Sequence, residues 1–191
     1  MISLSKLSLI VLFFIAKVYA VKILEDVGNY DLVFHRFEKC EKRGKYDFLS
    51  NLNIGKLNRT HLIYTGTVDT GVDVDDKLKI HVITAMKGSN GRYSTLIDIK
   101  LKACDLATIF FKDVVLLAAH HCNVSFVCPR ERVQCHFKDF IVILKLNNMP
   151  GIPYGDYRVQ FTILRSLPYA IEERISCIRM YGAVKEQSSL L

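Results

Sequence analysis

The chain has 191 residues; half are hydrophobic, 24% are charged, and the net charge is +7. That length suits one domain, and that composition excludes a disordered tail or a solvating linker. Mean hydropathy is +0.20, high for a soluble protein, which raises the question of whether one segment is responsible.

Residues 1–20 answer it. Lys6 precedes the apolar run Leu7 to Ala16, and Val18-Tyr19-Ala20 puts suitable side chains at −3 and −1 of a cleavage site. This is the layout of a secretory signal peptide. The run falls short of the roughly 20 residues a bilayer requires, and Lys17 interrupts it. Cleavage after Ala20 leaves 171 residues, removes Lys6 and Lys17, and lowers the net charge from +7 to +5. The expected product is secreted, extracellular and not an integral membrane protein. Residues 21–185 are expected to be its single domain, and 186–191 a loose tail.

The remaining chain alternates with a period of two, the mark of half-buried antiparallel strands. Weak runs cover Leu32 to Phe37, Tyr46 to Ile54 and Leu62 to Val68. Stronger ones follow. Leu78, Ile80, Val82, Thr84 and Met86 form one inward set, and Tyr93, Thr95, Ile97, Ile99 and Leu101 another. Gly88-Ser89-Asn90-Gly91 between them predicts a hairpin. Asp105 is placed to cap a helix through Leu117, whose apolar residues cover most of its circumference, so it should lie against apolar surface. Phe140, Val142, Leu144 and Leu146 then form a set, as do Tyr157, Val159, Phe161 and Ile163, and a further weak run, Ile175 to Val184, ends the series. The connection Met149-Pro150-Gly151-Ile152-Pro153-Tyr154-Gly155 holds two of the four prolines. About eight strands with regular turns predict an all-β, two-sheet antiparallel sandwich, immunoglobulin-like, with one short helix near 105–118.

Secretion governs the six cysteines, Cys40, Cys104, Cys122, Cys128, Cys135 and Cys177. An even number in an oxidising compartment predicts three disulfides, and spacing alone does not choose their connectivity. His120, His121 and His136 beside three of them suggest zinc, but no Cys-x-x-Cys pair exists and secreted thiols oxidise. No metal or other cofactor is expected. Asn58-Arg59-Thr60 and Asn123-Val124-Ser125 are sequons, so Asn58 and Asn123 are expected to carry glycans. Asp73, Asp75 and Asp76 read as a solvated turn, because the downstream Glu of an EF-hand loop is missing. No catalytic constellation is present, so no enzyme is expected. Basic residues spread along strands of a secreted chain do not point to nucleic acid.

The second half carries four segments in a recognisable order. They are Cys128-Pro129, Leu146-Asn147-Asn148-Met149-Pro150, Gly155-Asp156-Tyr157-Arg158-Val159 and Cys177-Ile178-Arg179. From Cys104 to Lys185 the chain thus resembles the ganglioside activator proteins of the ML (lipid-recognition) superfamily, and more closely their insect secreted chemosensory relatives. The resemblance implies sheets that splay apart around an apolar cavity. It also implies a Cys40–Cys177 bridge and, beside it, either Cys104–Cys128 with Cys122–Cys135 or Cys122–Cys128 with Cys104–Cys135. The chain departs from the ganglioside activators in having six cysteines rather than eight and no Trp. Lipid extraction from bilayers and help to a hydrolase are therefore not implied.

A lipid tail entering a dry cavity gains roughly 0.8 kcal/mol per buried methylene. The expected wall is Phe140, Val142, Leu144, Leu146, Tyr157, Val159, Phe161 and Ile163, and the expected mouth Met149, Ile152 and Tyr154. The function so implied is binding of an apolar ligand (a lipid, fatty acid or hydrocarbon-like signal) in chemosensation, with a membrane receptor as a further partner. The competing expectation is a protein-interaction module whose same residues fill a solid core.

Overall fold

The computed structural model describes residues 30–47, 51–58, 61–143 and 151–187, with only the backbone at 142 and 143. The signal peptide expected at 1–20 and most of the expected tail lie outside these. Eight strands and two helices follow one another: β1 (Tyr30–Lys39), β2 (Leu52–Lys56), β3 (His61–Asp69), β4 (Leu78–Lys87), β5 (Tyr93–Lys102), α1 (Ala103–Ile109), α2 (Lys112–His121), β6 (Gln134–Ile143), β7 (Gly155–Ser166) and β8 (Glu172–Glu186). A five-stranded sheet has the order β1-β8-β7-β4-β5 and a three-stranded sheet the order β2-β3-β6, all pairs antiparallel. The protein is an all-β, two-sheet antiparallel sandwich.

Cross-strand register fixes the faces, because residues opposite one another point the same way. Ile80 sits opposite Ile163, Val82 opposite Phe161, and Thr84 opposite Val159. On the other side of β7, Ile178 sits opposite Phe161 and Met180 opposite Val159. These side chains form the inner face of the large sheet. The inner face of the small sheet carries Leu52, Ile54, Leu62, Tyr64, Val68, Cys135, Phe137 and Phe140.

Bulges correct the alternation in β5, β1 and β6, and a fourth, at Ile175 in β8, shifts its pairing with β7. In β5, Ala85 pairs with Thr95 but Thr84 pairs with Ile97, so Leu96 is an extra residue. Tyr93 and Thr95 therefore belong to the outer face and only Ile97, Ile99 and Leu101 to the inner one. The Tyr93 ring confirms this by meeting Tyr181 edge-on at 6.1 Å on the outer face. In β1 the shift at His35 brings Phe34 and Phe37 to one face, rings 4.7 Å apart. In β6 Asp139 takes φ 50° and Phe137 stacks on Phe140, again at 4.7 Å. A bulge lets side chains three apart share a face, which a period of two forbids.

Other expectations shift as well. β6 begins at Gln134, well before Phe140. Tyr46 is not in β2; its N–H donates to the Ile175 carbonyl at 2.8 Å, beside β8. The single helix is two, broken at Phe110–Phe111, and Asp105 caps neither. β5 runs directly into α1, whose N-cap is Lys102, and Asp105 stands in the first turn, where its charge favours the helix dipole. The break turns the Phe111 ring edge-on to Phe161 at 6.5 Å. The helices are also less covered than expected, since Ile109, Leu116 and Leu117 remain exposed.

The end of β3 is fastened by charge. Asp69 accepts from Arg132 Nε and from the Gly71 N–H, both at 2.7 Å, and pairs with Arg132 Nη2. These contacts hold its carboxyl down at about 2. A carboxylate whose folded-state value is depressed adds stability above its unfolded value, and that gain is lost as pH falls through the folded one. Asp69→Asn should therefore lower the thermal midpoint modestly near neutral pH, the site being exposed. The difference from the native chain should shrink from pH 4 and be mostly lost by pH 2, as followed by circular dichroism melts.

Candidate functional site

The three disulfides are Cys40–Cys177, Cys104–Cys128 and Cys122–Cys135, with Cα separations of 5.6, 5.8 and 5.6 Å. Of the two sets left open for the last four cysteines, this is the one formed. Three disulfides suit an oxidising compartment. Cys40–Cys177 ties the end of β1 to β8 on the outer face, where the Thr162 hydroxyl lies 3.4 Å from Cys177 Sγ. Closing its 137-residue separation is worth about 5 kcal/mol in the chain-entropy picture. The other two bridges fasten the helical segment. Cys104, in the first turn of α1, meets Cys128, and Cys122, the C-cap of α2, meets Cys135 inside the small sheet's core.

The helices are thereby held across the sandwich. Val114, Ala118 and Cys122 pack on Cys135, Phe137 and Phe140, together with Leu52, Tyr64 and Val68. Burial pushes the Tyr64 hydroxyl up to about 12. The His121 ring lies over Phe140 at 4.8 Å, and His136 bonds the Thr67 hydroxyl at 3.2 Å. A second cluster belongs to the large sheet and sits at one end of it: Leu78, Ala103 and Ile175 with Val72, Val74, Ile80 and Ile163.

The two clusters share no residue, and Val159 and Phe161 lie in neither. These two occupy the middle of β7, the central strand of the large sheet, yet both are only half-buried. So are Thr84, Met86, Ile178 and Met180 beside them. The middle of a central strand is where a solid sandwich is most buried. At the far edge, the inward Ile97 and Ile99 are 37% and 38% exposed. At the near edge an open cleft of about 620 Å³ separates β1 from β2. Its apolar lining is Phe34, Phe37, Leu52 and Ile54. Lys56 faces inward with Leu52 and Ile54, and its Nζ stands 5.5 Å over the Phe34 ring.

The residues expected at the site divide as follows. Tyr157, Val159, Phe161 and Ile163 share the inner face of β7. Phe140 faces them from the other sheet, inside the small sheet's core. Val142 pairs with Leu62 in β6, its side chain undescribed, and Leu144, Leu146 and Met149 lie outside the described residues. Ile152 is half-buried and Tyr154 exposed. The Tyr157 hydroxyl donates to the Pro153 carbonyl at 2.7 Å, tying this connection to β7. Gly155 has φ 152°, a conformation that L side chains rarely adopt, so the entry to β7 favours glycine. None of these side chains lines the cleft at β1 and β2. Phe34 and Phe37 escaped notice because the β1 bulge hides their common face. Lys56 gave no signal, since it ends the short β2.

Asn58 and Asn123 are exposed, at the β2–β3 turn and after α2. The acidic turn is used internally. Asp73 accepts from the Arg132 N–H, Asp75 from Arg165, and Asp76 from Lys102.

No model of a known protein family matches this chain, and no curated protein matches it.

The Tyr157 contact is open to a direct test. Tyr157→Phe leaves the Pro153 carbonyl without its donor and should cost about 1 kcal/mol of unfolding free energy in a urea titration. A difference near zero would mean that the hydroxyl does not hold the connection.

Proposed function

We propose that this chain is a secreted binding protein for an apolar ligand whose tail lies between the two sheets. The observation that carries the reading is the half-buried apolar middle of β7, at Val159 and Phe161, between two clusters that share no described residue. Burying those side chains against a ligand tail removes apolar surface from water at roughly 25 cal/mol per Å². A tail of about 15 carbons gains roughly 12 kcal/mol gross, which leaves micromolar binding after about 4 kcal/mol of association cost.

The cleft between β1 and β2 is the proposed entry. Both are edge strands, and among the described residues no strand pairs with them on that side. Lys56 beside Phe34 gives an amphiphile's anionic head a partner. The resemblance to the ML superfamily and its insect relatives supports the same reading and supplies the chemosensory setting, a membrane receptor and glycans on Asn58 and Asn123.

The chain has no Trp, so an introduced one reports alone. Phe161→Trp should be quenched by a bromine-labelled C18 fatty acid at micromolar concentration, because quenching requires contact with the tail. Phe161→Arg should abolish displacement of a bound fluorescent fatty acid while leaving the circular dichroism spectrum intact. Absence of quenching, with no lipid in an organic extract of the purified protein, would sink the proposal and favour a surface interaction module.

A further inference from the structure

The outer face of the large sheet holds a cluster that ligand binding between the sheets does not use. Register sets Arg36, Tyr181 and Arg158 in one row across β1, β8 and β7, with Arg179 in the next row on β8. Each guanidinium is held at the level of the sheet. Arg36 lies 4.1 Å over the Tyr181 ring and Arg158 4.9 Å over the Tyr93 ring, while Arg179 Nε donates to Gln160 Oε1 at 2.9 Å. Cation–π contact fixes a guanidinium while leaving its edge N–H groups free to donate.

The acids of this face do not balance the cluster. Glu38 binds Arg36 at 2.7 Å and stands directly opposite Arg179 on β8, so one carboxylate serves two of the three arginines. Asp98 is taken by His81 at 2.6 Å, and Glu172 by Lys79 and Lys100. Asp156 stands at the rim, opposite Ala183. Among the described residues no carboxylate lies within ion-pair distance of Arg158 or Arg179. An ordinary solvated sheet face sets opposite charges across from each other. Here two arginines flank one tyrosine with no acid in the row.

We propose that this face docks a sulfated, carboxylated polysaccharide chain. Arg36 and Arg158 are two strand spacings apart, about 10 Å, a disaccharide-scale interval. The planar fork of Arg matches sulfate and carboxylate oxygens. Beyond Arg158 the row continues through the small side chains Ala85 on β4 and Thr95 on β5, which leaves room for a linear chain to lie across the sheet. A membrane surface fits less well. A bilayer-binding face joins cations to apolar side chains that insert. The most exposed apolar residues, Tyr169, Val127 and Ile171, lie instead in loops outside the strands of this face. Both sequons are on the small-sheet and helical side, which leaves this face clear of any glycan they carry.

The test uses the full secreted protein on immobilised heparin at 0.15 M salt. The native chain should bind, and Arg158→Gln with Arg179→Gln should weaken binding at least tenfold, as expected for losing one charge-assisted contact or more. Lys112→Gln with Lys138→Gln removes the same charge from the other side and should leave binding within twofold. Tyr93→Leu keeps the charge, loosens Arg158, and should weaken binding severalfold. Equal loss in the two double variants would overturn the proposal, since net charge alone would then explain retention. So would unweakened binding by the arginine variant with its melting temperature unchanged. Sedimentation with phosphatidylserine vesicles in the absence of heparin binding would overturn it in favour of a membrane. None of these outcomes depends on whether a lipid occupies the interior.

Discussion

Five strands face three, and that inequality governs the rest of the structure. The large sheet presents an apolar inner face across β1, β8, β7, β4 and β5, and β2, β3 and β6 are too few to cover it. Apolar surface left in water is unfavourable in proportion to its area, so some other cover is required. The two short helices supply part of it, with Phe111 against Phe161 and Val114 and Ala118 against the small sheet. They do so because two disulfides hold them there. What they leave only half-covered is the middle of β7, and they do not reach the edge at Ile97 and Ile99 or the cleft between the two edge strands β1 and β2.

The same inequality explains why three bridges are present in a chain long enough to fold without them. A domain of this size normally gains its stability from one contiguous core. Here two clusters among the described buried residues, one on each sheet, share no residue. Bridges that constrain the unfolded chain compensate for contacts not made across the middle. On the proposed reading, the ligand supplies the missing contact.

The two faces of the large sheet have opposite chemistry. Inside, aliphatic and aromatic side chains repeat along each strand. Outside, Arg36, Arg158 and Arg179 are locked onto Tyr181, Tyr93 and Gln160 with few carboxylates nearby. A period of two produces this division, since each strand sends alternate residues to each side. One sheet can thus serve an apolar ligand on one face and a polyanion on the other without the sites touching.

The sequence by itself determined the all-β class, the number of strands and, on β4 and β7, the inward set, because unbroken alternation carries that information locally. It also marked the helical interruption between β5 and β6. It did not determine the faces of β1, β5 and β6. Each contains a bulge, and one extra residue reverses every side chain beyond it, so Phe34 with Phe37 and Phe137 with Phe140 read as mismatched pairs. Nor did it locate the break at Phe110–Phe111, which follows from packing the Phe111 ring on β7, or the cleft, whose walls come from strands of different sheets. Connectivity of the last four cysteines also needed the tertiary structure. Spacing records distance along the chain, whereas a disulfide requires Cα atoms within about 6 Å, and only the folded helical segment brings Cys104 to Cys128 and Cys122 to Cys135.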